Sequence, residues 1–297
     1  MGINRRDFLK TIGVATATVA TPGALKAKPK PSTEEFYSVL FDANLCIGCR
    51  KCEWACNEQN DLPNEPFASF DDKTVFDEIR DMTPDQFTVV NRYDIEEHDK
   101  PIYVKKQCMH CSQPACASAC LTEAMKKTEE GPIIWRGEKC MGCRFCMLSC
   151  PFDIPKFEYY SANPRIAKCT MCYDRIVEGD KPACVSICPT EAIIFGKRSV
   201  LLDEAKRRIF TEPDRYVNSV FGDGEAGGTD WLYISPVPFE NIGFKKDMSL
   251  EAYNEPTKGF LYSVPFVFVL WPAILLGLYN ANKDKIEVTE GEESNEQ

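Results

Sequence analysis

Cys140-Met-Gly-Cys143-Arg-Phe-Cys146-Met-Leu-Ser-Cys150-Pro151 packs four cysteines and a closing proline into residues 140–151. Working outward, the grouping recurs. Cys46, Cys49, Cys52 and Cys56 keep the same intervals, with Asn57 where the proline would stand. Cys108, Cys111, Cys116 and Cys120 widen the second gap. Cys169, Cys172, Cys184 and Cys188 widen it further and close on Pro189. The four quartets use all 16 cysteines of the chain.

Three chemistries compete for such a set. Disulfides need partners whose Cα and Cβ vectors face each other, and cysteines two residues apart in tight runs are poorly placed for that. Zinc ribbons offer two Cys-x2-Cys knuckles split by a longer loop, not three close cysteines followed by a fourth and proline. The C-x2-C-x2-C-x3-C-P run is the signature of a [4Fe–4S] cluster in bacterial ferredoxins. Three close cysteines wrap one corner of the cubane, and the fourth faces a neighbouring cluster. Gly48 and Gly142 sit inside the loops, where lack of a Cβ eases close approach of the backbone. Strand-like runs at Tyr103–Lys105, Pro132–Arg136 and Ala192–Gly196 flank the quartets. The expected fold is α+β: two bacterial-ferredoxin-like [4Fe–4S] modules, one nested in the other, followed by a single C-terminal transmembrane helix.

Composition excludes other classes. The chain has 297 residues, of which 44% are hydrophobic, so it can bury a core and is not wholesale disordered. Its net charge of −10 argues against a nucleic-acid binder, which needs a basic face. Its two histidines and its lack of any Cys-x-x-Cys-His exclude a multihaem cytochrome.

The ends suggest a topology. Residues 1–31 read as a targeting segment, with the twin-arginine pattern Asn4-Arg5-Arg6-Asp7-Phe8-Leu9-Lys10. Such signals export proteins already folded around a cofactor. Residues 259–282 carry no charge, and twenty helical residues from Phe260 to Tyr279 would rise roughly 30 Å, the thickness of a bilayer core. Residues 283–297 carry a net charge of −4 and read as an unstructured cytoplasmic tail. The body between is expected to hold a four-cluster domain at 32–200 and an extension at 201–258. An acidic insertion at 57–100, with net charge −9, reads as a solvated segment or a docking surface.

Other residues are weighed against plainer roles. His110, between Cys108 and Cys111, reads as a hydrogen-bond donor or packing residue beside complete quartets. Gly222-Asp-Gly224-Glu-Ala-Gly227 matches a dinucleotide-binding string but precedes an extended run, so it reads as a turn. Trp54, Trp135, Phe145 and Phe152 are candidates to shield the clusters. Lys105, Lys106, Arg144 and Lys168 either offset cluster charge or are simply solvated.

On these motifs the chain resembles the four-cluster ferredoxin-type subunits of membrane-bound oxidoreductases, from about Tyr37 to Gly196. Tyr103-Val-Lys-Lys-Gln-Cys-Met-His-Cys111, Gly227-Gly228-Thr229, Trp231-Leu-Tyr-Ile and Val237-Pro-Phe-Glu-Asn-Ile-Gly243 make it most similar to the HybA-type iron–sulfur subunit of periplasmic [NiFe] uptake hydrogenases. The resemblance implies four [4Fe–4S] clusters with crossed ligation. Cys46, Cys49, Cys52 and Cys188 would hold cluster A, and Cys56, Cys169, Cys172 and Cys184 cluster B. Cys108, Cys111, Cys116 and Cys150 would hold cluster C, and Cys120, Cys140, Cys143 and Cys146 cluster D. Asn57 and Leu121 depart from the proline that often follows the fourth cysteine.

The resemblance also implies an electron-transfer subunit with no catalytic residues of its own. It would sit on the periplasmic side of the inner membrane, between [NiFe] hydrogenase large and small subunits and an integral membrane quinone-interacting subunit. The terminal helix would anchor it in the lipid bilayer. A β subunit of a formate dehydrogenase or other molybdopterin oxidoreductase is the alternative within the class. An iron–sulfur redox sensor is the alternative outside it.

Overall fold

The computed structural model describes residues 35–96 and 98–293. The chain divides into two units, residues 31–256 and a terminal unit made of residues 1–30 and 257–297. The targeting segment at 1–31 lies outside the described residues.

In the larger unit the elements alternate between short helices that carry cysteines and short strands. They are β1 (Tyr37–Asp42), α1 (Lys51–Gln59), β2 (Val89–Tyr93), β3 (Ile102–Lys106), α2 (Ala115–Ser118), β4 (Met125–Lys127) and β5 (Ile133–Trp135). After them come α3 (Phe145–Leu148), β6 (Lys156–Phe157), β7 (Ile166–Ala167), α4 (Tyr173–Val177), α5 (Ala183–Ser186), β8 (Ile193–Lys197), α6 (Arg198–Thr211) and β9 (Trp231–Ile234).

The central sheet has the order β8–β1–β9. β1 runs antiparallel to β8, with Val39 opposite Phe195, and parallel to β9, with Val39 opposite Trp231. Side chains of a strand alternate between faces. Leu40, Leu232 and Ile234 therefore share one face, where Leu201, Leu202, Ala205 and Ile209 of α6 cover them. Those four recur at helical spacing on one stripe. Val39, Phe41, Trp231 and Tyr233 take the other face and pack toward the cysteine loops. Burying each such large side chain is worth about 1.5–3 kcal/mol, so the sheet forms a firm floor beneath the quartets.

The nesting expected from sequence is visible in the packing. α1, from the first quartet, packs against α5, from the fourth. Between them in sequence, α2 packs against α3. Three two-stranded ladders, β2–β3, β4–β5 and β6–β7, brace these helix pairs. The three strand-like runs fall on β3, β5 and β8. The glycine string at 222–227 forms a turn and a short 3-10 segment before β9.

The acidic insertion is less solvated than its charge suggests. Leu62, Phe70, Phe76, Met82, Phe87, Val89 and Val90 are buried, and several join the cores beside Cys52, Cys56 and Cys169. Acids such as Glu58, Asp61, Asp71, Asp72, Asp77 and Asp81 are exposed between these apolar anchors.

The expected transmembrane helix is corrected. Among the described residues no helix is long and apolar enough to cross a membrane. A helix α7 spans Glu255–Glu293. The helix also takes in residues 283–293, part of the stretch expected to be unstructured. Glu and Lys are good helix formers.

Candidate functional site

The loops that present the cysteines share a backbone device. The residue two after the first cysteine of each quartet has positive φ: Gly48 at 64°, His110 at 47°, Gly142 at 71° and Met171 at 56°. The third residue after the last cysteine repeats the device in three quartets, at Glu123, Asp153 and Glu191. These left-handed residues turn the chain sharply around each group of thiols. The loops then enter their helices in two ways. Arg50 and Arg144, both at φ 59°, precede α1 and α3, whereas Pro114 and Pro182 precede α2 and α5. At Gly48 the reason for glycine is also steric, because a Cβ there would fall inside the Tyr103 ring.

The thiols gather across quartets. Cys46, Cys49, Cys52 and Cys188 line one small cavity with Ile47 and Ile193. Cys56, Cys169, Cys172 and Cys184 line a second, together with Lys105 and Trp231. Electrostatic coupling groups the others. Burial, then the neighbouring thiolates of Cys108, Cys116 and Cys150, pushes the Cys111 thiol far up. Burial, then Cys120, Cys140 and Cys143, pushes Cys146 up to about 11. Each of the two cavities takes three cysteines from one quartet and one from another. Cys143 is exposed, while Cys52, Cys56, Cys108, Cys116, Cys146, Cys169 and Cys184 are buried.

Burial dominates this chemistry. It raises Cys46 and Cys169 to about 12 and Cys172 and Cys150 to about 11. Thiolates crowded in a dry interior need a compensating positive core. Donors to sulfur are already in place. The N–H of Met171 donates to Cys169 Sγ at 3.3 Å, and that of Met125 to Cys120 Sγ at 3.4 Å. At Cys120 burial pushes upward, but hydrogen bonds from Met125, Thr122 and Ala124 outweigh it and lower the thiol. The indole Nε1 of Trp231, on the wall of the second cavity, is buried without a hydrogen-bond partner. Among the described residues no three His, Cys, Asp or Glu side chains are grouped to hold a single metal ion. Four-thiol cages with sulfur-directed donors fit an iron–sulfur cubane, which would be held by the cysteines alone and supply one-electron chemistry.

Charged residues near the cages were only partly legible. Lys105 and Lys168, weighed above as offsetting cluster charge or solvated, are buried. Lys168 Nζ donates to the carbonyls of Ile133 and Cys169. His110 is fully buried, and its Nδ1 accepts the Ile133 N–H at 2.9 Å. Burial, then the cations Lys168, Lys127 and Lys105, holds its imidazole well below the ordinary histidine range, so it is neutral. Asp230, missed in the sequence, is buried against Lys127, and burial raises its carboxyl to about 6 despite that partner. Of the candidate shields, Trp54, Trp135 and Phe152 are half-buried and Phe145 is exposed.

Comparison with known proteins adds the following. A 4Fe-4S dicluster domain matches residues 100–198, and a 4Fe-4S binding domain matches residues 38–60. A TAT (twin-arginine translocation) pathway signal sequence matches residues 2–22. A protein of Nitratidesulfovibrio vulgaris is 46% identical over 98% of this chain and 80% of its own length. The Hydrogenase-2 operon protein HybA of Escherichia coli O157:H7 is 32% identical over 93% of this chain and 94% of its own length. The Formate dehydrogenase-O iron-sulfur subunit of Escherichia coli K12 is 36% identical over 72% of each chain.

Proposed function

This chain belongs to the family of ferredoxin-type iron–sulfur electron-transfer subunits, and we propose that it works as a four-cluster wire for a periplasmic [NiFe] hydrogenase that oxidises molecular hydrogen. It is a non-catalytic subunit that binds 4Fe–4S clusters. The finer reading is supported by two small cavities, each lined by four thiols drawn from two quartets, and by the thiols that act most strongly on Cys111 and Cys146. The cages take Cys46/Cys49/Cys52/Cys188, Cys56/Cys169/Cys172/Cys184, Cys108/Cys111/Cys116/Cys150 and Cys120/Cys140/Cys143/Cys146. The central sheet packs beneath Cys46, Cys52, Cys184 and Cys188, whereas the fourth cage opens to solvent at Cys143.

Electrons would enter from the catalytic subunits and leave toward a quinone-reactive membrane subunit. The twin-arginine match at residues 2–22 supports export of the loaded protein to the periplasm. The hydrogenase assignment draws on the match to HybA along nearly the whole chain. The higher identity to the formate dehydrogenase-O subunit, over a shorter span, favours a formate dehydrogenase partner as the second reading. Metal analysis of the complex purified gently through this chain separates them. Nickel supports the hydrogenase; molybdenum or tungsten without nickel overturns it in favour of the second reading.

A further inference from the structure

Lys105 stands on β3, where its neighbour Val104 is also buried, so the strand's alternation is broken to turn an ammonium inward. The side chain is 1% exposed. Its Nζ donates to Thr88 Oγ1 at 2.7 Å and to Gln107 Oε1 at 3.0 Å, and lies 4.6 Å from the centroid of the Trp231 ring. Gln107 donates in turn to the Tyr233 hydroxyl, which donates to the Lys105 carbonyl. This closed, buried ring fixes the ammonium in one place. Both of its hydrogen-bond acceptors are neutral. An ammonium has three N–H donors, so one remains beyond these two.

A buried cation requires an anion or its equivalent. The groups facing Lys105 are cysteines, which carry negative charge when they hold a cluster: Cys184, Cys52, Cys169 and Cys56 outweigh the downward push of burial and raise the lysine. Three of these belong to the cage that Lys105 itself helps to line. The fourth, Cys52, belongs to the adjoining cage, as does Cys46, which also responds to Lys105. The charge therefore lies in the wall of one cage and is felt by thiols of the next.

We infer that Lys105 is a built-in cation that raises the reduction potentials of the two clusters held by Cys46/Cys49/Cys52/Cys188 and Cys56/Cys169/Cys172/Cys184. The inference rests on the reading that those cages hold clusters. Adding an electron makes a cluster more negative, so a fixed positive charge favours the reduced form. Lys105 keeps its protons throughout and takes no part in the transfer. It is a tuning residue, and Thr88, Gln107, Trp231 and Tyr233 position it. At a separation of the order of 10 Å and an effective dielectric near 20, a unit charge shifts the reduction equilibrium about tenfold.

The test is a dithionite redox titration, followed by electron paramagnetic resonance, of the complex carrying Lys105→Met. The unmodified complex is titrated first; four clusters there are the check on the earlier reading and are independent of Lys105. In the variant, two of the four midpoint potentials should fall by about tenfold in equilibrium constant, 59 mV for a one-electron couple, while the other two stay put. Lys105→Arg should restore most of the shift. No movement, upward movement, or an equal displacement of all four would overturn the inference. Should Lys105→Met lose iron, Thr88→Val keeps the charge but removes an anchor. A shift confined to the same clusters then supports the proposal, and unchanged potentials overturn it.

Discussion

Replacing Gly48 by alanine tests the loop geometry most sharply. Gly48 has φ +64°, and an added Cβ would enter the Tyr103 ring, which packs on Phe76. The left-handed backbone costs a non-glycine residue about 1–2 kcal/mol. Forcing a methyl into a packed ring costs about 1–3 kcal/mol more. The sum is about 2–5 kcal/mol. For a body of this size each kcal/mol lowers Tm by about 2–4 °C, so anaerobic melting of the iron-loaded protein should fall by about 4–20 °C. Tyr103→Leu makes room for the methyl but leaves the backbone strain. The double variant should therefore melt above the sum of the two single effects by a coupling of about 1–3 kcal/mol. A Gly48→Ala protein that melts within a degree of the parent, or a cycle with no coupling, would refute the steric account.

Other predictions follow from buried charge. Glu53, fully buried, accepts from Arg80 at 2.6 Å, from the Val90 N–H at 2.5 Å and from Arg50 and Gln86 at 3.2 Å. Glu53→Ala strands those donors and should cost about 3–5 kcal/mol, with faster limited proteolysis within 57–100 as the readout. Asp230 binds its proton more tightly folded than unfolded, because its carboxyl is raised from 3.8 to about 6. Stability present below the unfolded value is thus lost as pH rises through 6. Asp230→Asn should remove about 1 kcal/mol of pH dependence between pH 5 and 7, read from melting curves across that range. Cys184→Ser and Cys188→Ser, four residues apart, should disturb two different clusters in electron paramagnetic resonance. Loss of the same signal in both would contradict the crossed cages.

The four quartets were legible because a cubane needs thiols at fixed short intervals, whereas their crossed pairing came from the resemblance and not from spacing. Strands β3, β5 and β8 were readable as strand-like runs flanking the quartets, whereas helix α6 was not read from the sequence. Other features left no such trace. His110 and Met171 adopt left-handed backbone without the glycine that would signal it. Lys105 and Lys168 read either as cluster-offsetting or as solvated charges, because no local pattern decides whether a lysine turns inward toward sulfur. The anchors Phe70, Phe76, Met82 and Phe87 were hidden by the average charge of the acidic segment around them. The apolar run near the C-terminus was read as a membrane span from its length and lack of charge, and the described helix does not meet that requirement.

The central claim is that the 16 cysteines hold four cubanes. The direct measurement is iron, acid-labile sulfide and zinc per chain in protein purified without oxygen. The account predicts about 16 iron and about 16 sulfide with no stoichiometric zinc. About four zinc without sulfide, or iron for only two cubanes, would contradict it.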